Sequence, residues 1–356
     1  MKPGVIFGGP SPEHDISVLT GLQALRALGD ALPIYWAKTG ELFEVDADLE
    51  GADFAAGTPA KARPVRLVTG EGLLGKRDKP LDVSALVNCC HGGPGEDGSL
   101  QGALDLAGVR YTGPTVAGAA LGMDKLAFGD VVVAAGMTSL PRTVLTEAGS
   151  VDFAGPYIVK PRYGGSSIGV EPVADIDTAR ARLGANVHLR AGAIIEPYKA
   201  DSADLNIAVR MYPHVELSAI ERPQRTQSDG TILDYRDKYV GGEGMASAPR
   251  EVPADIPDAL AERIRRDALA IATLAGVRGI ARIDFLLDGD DLYVNEINTI
   301  PGSLSKHLWV EPPVAFAQLL ADMLAEADAR PTVHYTTAGA DGTALRSAGT
   351  IASKLG

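Results

Sequence analysis

GIARIDFLLDGDDLYVNEINTIPG, residues 279–302, sets an arginine, an aspartate, a glutamate and an asparagine at alternating positions on either side of a turn. Two apolar-rich runs flank DGDD at 288–291, the pattern of a β-hairpin. Side chains two apart on a strand share a face, so Arg282 goes with Asp284 on the first strand and Glu296 with Asn298 on the second. For Asp284 and Glu296 to converge, the expected register sets Arg282 opposite Glu296 and Asp284 opposite Val294, with a loop of three or five residues. Ile283, Phe285, Tyr293 and Ile297 then pack on the other face, and a one-residue slip would send Asp284 among them. Two carboxylates and an amide oxygen, with no adjacent His or Cys, suit a hard cation: Mg2+, or Mn2+ as a possible substitute. Such a cation points to a nucleotide. The competing reading is a surface hairpin whose charges are merely solvated.

Working outward, the chain can bury a large core: 356 residues, 46% of them hydrophobic, suggest two or three domains. Few aromatics (5%) with 41 Gly and 23 Pro favour an α/β enzyme of short apolar runs between Gly-rich turns. The net charge of −13 argues against nonspecific nucleic-acid or anionic-membrane partners, which require basic patches. No apolar run reaches 18 residues, and MKPGVIFGG leads straight into a strand, which leaves no room for a signal peptide. Cys89 and Cys90 are adjacent within an expected buried strand, a poor arrangement for a structural disulfide. Cytoplasmic residence is the expectation.

At the N-terminal end, a strand over 4–9 ends in glycines and PSPEHDIS opens a helix. Glu13 lies at the strand's carboxyl end, where open α/β sheets place ligands, although Ser11 or Glu13 could simply begin the helix. Gly70, Gly75 and Lys76 have P-loop spacing, but Arg77 stands where Ser or Thr is needed and Pro80 follows too soon, so 69–77 reads as a surface turn. After the strand 81–90, His91 is either a site residue or a hydrogen-bonding support for its Gly-rich loop. Lys125 sits in a helical pattern. Lys160 lies inside an apolar strand and needs an anion to offset its desolvation. The Gly164–Gly169 loop, with Gly165, Ser166 and Ser167, can close backbone N–H groups over phosphates. Glu196 and Asp204, at strand ends, could reach an adenine amino group and ribose hydroxyls, or could be solvated. Lys238 and Tyr239 fall in a long charged loop. A helix follows 257, another ends near 329, and the tail from about 331 reads as poorly ordered.

Together these segments resemble the ATP-grasp superfamily and, within it, the D-alanine–D-alanine ligases. FGGPSPEHDIS, HGGPGEDGSLQG, GMDKLAF, VKPRYGGSSIGV, DYRDKYVGG and RIDFLL…YVNEINTIPG occur in that family's order over about residues 4–325. The resemblance implies an ATP-grasp fold in three α/β units: an N-terminal open parallel sheet domain (1–117), a central lid domain (118–207) and a C-terminal domain with the metal site (208–330), then a tail (331–356). It also implies a homodimer, amino-acid substrates and an acyl-phosphate reaction serving cell-wall synthesis. Lys125 and Lys160 would contact phosphates beneath the 164–169 loop as a lid that Lys238 closes, Glu196 and Asp204 would contact the adenosine, and Asp284, Glu296 and Asn298 the metal. Glu13 would hold the first substrate's ammonium, braced by Ser166 and Tyr239, while Arg282 and the Gly302 N–H would stabilise the oxyanion. No general base for the incoming amine is visible. Departures fall at Tyr163-Gly164 and at 303–309, where His307 stands in place of a serine expected, like Ser305, near the second substrate. A same-scaffold ligase with another acceptor, and a noncatalytic nucleotide-binding protein, are the alternatives.

Overall fold

The computed structural model describes residues 1–224, 250–311, 313–330, 332 and 336–351. Lys238, Tyr239 and their motif at 234–242 lie outside the described residues. Strands β1 (Lys2–Gly8), β2 (Leu32–Trp36), β3 (Leu42–Glu44), β4 (Arg63–Val68), β5 (Gly72–Leu74) and β6 (Val83–Asn88) form one sheet in the order β5-β4-β3-β2-β1-β6. Only β2-β1-β6 is parallel; β3, β4 and β5 extend it as antiparallel strands. The expected open parallel sheet is therefore its central part. The 69–77 segment, expected as a turn, contributes β5.

The chain leaves β1 toward β2 on one side and returns as β6 on the other. The carboxyl ends of β1 and β6 thus open at a topological switch point. Helix α1 (His14–Leu28) starts there, and Ser17 ties it down: its Oγ accepts from Gly8 N (2.7 Å) and donates to Cys89 O (2.7 Å). Its inner face meets Val5, Phe7, Tyr35 and Val87, all buried.

Strands β7 (Thr143–Val144), β8 (Tyr157–Pro161), β9 (Glu171–Val173) and β10 (Ala193–Pro197) make a second, antiparallel sheet ordered β7-β10-β8-β9. The third, also antiparallel, is ordered β13-β12-β11-β14-β15, from β11 (Ala203–Arg210), β12 (Glu216–Pro223), β13 (Arg250–Glu251), β14 (Ile280–Asp288) and β15 (Asp291–Asn298). β11, which a boundary after residue 207 would cut, pairs along its length with β14. The amphipathic helix Asp258–Leu274 covers one face of this sheet, packing Ile264, Ala268 and Ile271 against Leu205, Ile283 and Phe285. Within the tail, Thr343–Ser347 is helical.

The hairpin forms as expected, with a different register. Asp288 pairs with Asp291 across a two-residue turn in which Gly289 takes the positive φ (60°) that its first position favours. Continued without interruption, that turn would set Asn295 opposite Asp284 and turn Glu296 away. Instead a β-bulge admits Asn295 as an extra residue, so Asp284 lies opposite Glu296 and Arg282 opposite Asn298. The bulge also reverses the parity of the distal half. Tyr293 is consequently opposite Leu286 and under the Lys199 ammonium (5.9 Å), while Leu292 and Val294 fill the core beside Ile283, Phe285 and Ile297.

Candidate active site

The site-bearing face of the hairpin looks into a cleft lined by the second and third sheets and by the segments that follow β1 and β6. On it, Arg282 donates to both oxygens of Asp284 (2.6 and 2.7 Å), and Asn298 Nδ2 donates to Asp284 Oδ2 (3.0 Å). Glu296 lies across the ladder from Asp284, with Lys125 Nζ 3.4 Å from its Oε2. Two carboxylates and an amide thus converge, an all-oxygen set of the kind hard cations take. Among the described residues there is no cluster of three His, Cys, Asp or Glu side chains able to hold a metal; the third member here is an amide.

Lys125 reaches this point because Asp124 ends one helix (Val116–Met123) and caps the next (Lys125–Ala134), accepting from Leu126 N and Ala127 N. Arg162 fixes Asp124 from β8's end with two bonds of 2.8 and 2.6 Å. Lys160 finds the anion its burial demands in Glu196 (2.6 Å), and also donates to the bulged Asn295 (3.3 Å). Arg142, which carried no signal in the sequence, lies 3.2 Å from the other Glu196 oxygen and donates to Lys125 O (2.6 Å). Burial alone would raise the Glu196 pKa, but Lys160 and Arg142 outweigh it and hold the group low. The Glu196 carboxylate, only 1% exposed, is paired with two cations on the cleft wall. Asp204 stays on the cleft wall.

The Gly/Ser loop carries two non-glycine residues in left-handed backbone, Ser166 (φ 52°) and Ser167 (φ 57°), conformations that cost on the order of 1 kcal/mol each. Ser166 Oγ donates to Glu13 Oε1, which joins the loop to the start of α1, and Lys125 donates to Gly164 O. Glu13 is buried and faces Gly92, whose φ of 62° and lack of a Cβ are both needed: a Cβ there would sit 2.2 Å from Glu13 Oε2.

Behind Glu13 lies a carboxylate the sequence reading overlooked. Glu96 is buried and accepts from Gly92 N (3.0 Å), Ile300 N (2.8 Å) and Thr299 Oγ1 (3.2 Å). Burial, reinforced by the nearby Glu13 charge, pushes its pKa up to about 7. His91 has both ring nitrogens engaged: Nδ1 with Ile300 O (2.7 Å) and Nε2 with Thr20 Oγ1 (2.7 Å), which in turn accepts from Ser303 N (3.1 Å). Burial lowers the His91 pKa to about 4, so the ring is neutral, with Nδ1 donating and Nε2 accepting. Of its two readings, the loop-supporting one describes these bonds, although His91 also lines the cleft.

The segment so suspended, Gly302–Leu308, is strained. Ser303, Leu304 and Ser305 take φ of 48°, 50° and 50° in succession, a left-handed turn without a glycine. Gly302 and His307 line the cleft. Ser305 does not: it is 0% exposed, with its hydroxyl unpartnered, because the left-handed turn directs it into the protein. The expectation that Ser305 touches substrate is corrected. His307 Nε2 lies 3.4 Å from Glu221, a buried carboxylate that also accepts from Arg250 (3.2 Å) and Asn206 (3.3 Å). Burial opposes the Glu221 charge, but His307, Arg282 and Arg250 hold its pKa down at about 2.

Comparison with known proteins bears on the same cleft. Family models described as the D-ala D-ala ligase N-terminus and C-terminus match residues 2–114 and 121–325. The D-alanine–D-alanine ligase of Thermosipho africanus is 31% identical, with 91% of this chain and 92% of that protein covered. That of Arthrobacter sp. is 30% identical, with 91% and 93% covered. Among solved structures, the D-alanine–D-alanine ligase from Helicobacter pylori superposes with a TM-score of 0.74 at 24% identity, covering 93% of this chain and 100% of that one. The enzyme from Coxiella burnetii gives 0.75 at 22%, covering 93% and 94%.

Proposed function

The chain belongs to the D-alanine–D-alanine ligase family and is an ATP-dependent, ADP-forming ligase of ATP-grasp fold, from which we propose that it joins two D-alanine molecules through an acyl phosphate. The observation that carries the proposal is the hairpin's acidic pair, Asp284 opposite Glu296, beside Arg282, Lys125 and Lys160 in one cleft. The relatives named above lend no support to the alternative acceptor or to a noncatalytic role.

In this reading Asp284, Glu296 and Asn298 would hold Mg2+, which supplies charge neutralisation at the transferred phosphoryl group. Lys125 and Lys160 approach the same phosphates, and the Gly165–Ser167 backbone covers them. Asp204 takes the ribose side. Glu13 receives the first substrate's ammonium and keeps its carboxylate aimed at the γ-phosphate, with Ser166 as its brace. Arg282 and Gly302 N–H face the oxygen that gains charge when the second amine adds. Lys238 and Tyr239 retain their proposed roles in the nucleotide lid and the Glu13 brace.

The proposal extends to three units, the central and C-terminal ones meeting between β10 and β11, to a homodimer, and to cytoplasmic residence in cell-wall synthesis. Among the described residues no helix is long and apolar enough to cross a membrane. ADP release with Mg2+, ATP and single or paired D- and L-amino acids, with mass spectrometry of the product, tests the function. D-Alanine alone yielding its dimer is expected; turnover confined to an unequal pair would refute it.

A further inference from the structure

The incoming amine reaches the cleft as an ammonium at neutral pH and cannot attack until it loses a proton. Around the oxyanion wall most groups able to accept one are committed. Both ring nitrogens of His91 are bonded. Glu96 is buried under three donors, and Asp284 is engaged by Arg282 and Asn298.

His307 differs. It shares the short segment Gly302–Leu308 with the oxyanion glycine, and both line the cleft with Arg282. Glu221 lies 3.4 Å from its Nε2, so the carboxylate fixes that nitrogen as the donor and leaves the lone pair on Nδ1. Glu221 is itself seated by Arg250 and Asn206, and its burial keeps the bond away from water. Among the described residues, Arg250 on β13 and Arg282 on β14 act on the Glu221 charge of this pair. Lys306, the neighbour in sequence, is turned over the Phe316 ring with its ammonium 5.0 Å from the centroid. An imidazole oriented by a buried carboxylate is the arrangement general-base catalysis uses.

We infer that His307, held by Glu221, takes the proton from the acceptor ammonium as the amine attacks the acyl phosphate. The inference rests on the ligase reading above. The ammonium gives one proton to Nδ1, and the resulting imidazolium is paired with Glu221. The freed nitrogen pair forms the C–N bond. The tetrahedral intermediate then expels phosphate with the electrons of the C–O bond, the second nitrogen proton leaves with phosphate or solvent, and His307 returns its own proton to water. His307 thereby acts on the reacting nitrogen, and Glu221 is a positioning residue.

The test separates the two half-reactions of the full-length enzyme. Hydroxylamine, uncharged at neutral pH, traps the acyl phosphate without needing a base, whereas D-alanine needs one. In His307→Gln, hydroxamate formation should change by less than about threefold while dipeptide formation falls by about 100-fold at pH 7. That deficit should shrink about tenfold per pH unit as the acceptor amine deprotonates unaided. Imidazole should restore dipeptide formation in His307→Ala, and Glu221→Gln should show a smaller version of the same split.

A rise in acceptor KM with kcat unchanged would overturn the proposal, making His307 a binding group. Equal loss of both products at every pH, without imidazole rescue, would overturn it as well. Failure of the unaltered enzyme to form any hydroxamate from D-alanine would instead fall on the ligase reading and take this assignment with it.

Discussion

The hairpin Ile280–Asn298 and the segment Gly302–Leu308 are joined by three residues, yet they build their parts of the cleft by different physical means. The hairpin uses regular pairing: a tight turn, a bulge and a core face of Ile283, Phe285 and Ile297 fix where Asp284 and Glu296 stand. The 302–308 segment has no ladder. Its left-handed turn persists because Glu96, His91 and Thr20 hold its backbone from the N-terminal side. In the reading proposed above, nucleotide chemistry thus sits on a self-supporting frame, while part of the acceptor chemistry depends on a frame borrowed from the segments that follow β1 and β6.

The contrast is sharpest for turnover. Glu296→Gln is expected to lower ADP release by about a thousandfold at saturating Mg2+, about 4 kcal/mol of transition-state stabilisation, because it removes charge at the point of phosphoryl transfer. Steady-state kinetics over a Mg2+ titration checks it. Next in size is Lys160→Met, which strips Glu196 of its nearer cation in a buried site. Arg142 remains, so the loss of unfolding free energy should be about 3 kcal/mol, at the low end for a broken buried pair, measured by urea denaturation.

Two predictions address the borrowed frame. Thr20→Val leaves Ser303 N–H and His91 Nε2 without this partner and should cost about 1–2 kcal/mol in the same assay. Glu96 supplies the pH dependence. Its pKa rises from 4.5 to about 7 on folding, so its contribution to stability is full below about pH 4.5 and lost as pH rises through 7. The Tm of the unaltered protein relative to Glu96→Gln should therefore be higher at pH 4.5 than at pH 8. A gap independent of pH would contradict the burial argument. The smallest effect belongs to Ser305→Ala: the hydroxyl is buried and unpartnered, so stability should stay within about 1 kcal/mol and acceptor KM should not change.

What was legible follows the same division. Alternation exposed both strands of the hairpin and which carboxylates face the cleft, because period-two patterns survive any pairing. The register was not legible. It depends on Asn295 being extruded, and that residue looks like any other strand position until Lys160 and Arg142 are seen bonding to it. The parallel centre of the first sheet was visible as apolar runs, while the three-residue strands β3 and β5 beside it carried too little periodicity. Glu96 stood in plain view within HGGPGEDG, but its part depends on Thr299 and Ile300, some two hundred residues on. Ser305 and His307 are two apart, as if on one face; only the left-handed turn sends one inward and keeps the other on the cleft.

In the proposed reaction this cleft activates a D-alanine carboxylate by transferring a phosphoryl group to it. The most direct test supplies D-alanine labelled with 18O in both carboxylate oxygens, with ATP and Mg2+, and examines the inorganic phosphate released. Passage through an acyl phosphate predicts one 18O per phosphate for each dipeptide formed. Phosphate free of label, with ADP still produced, would show that the substrate carboxylate never attacked the nucleotide and would contradict the account.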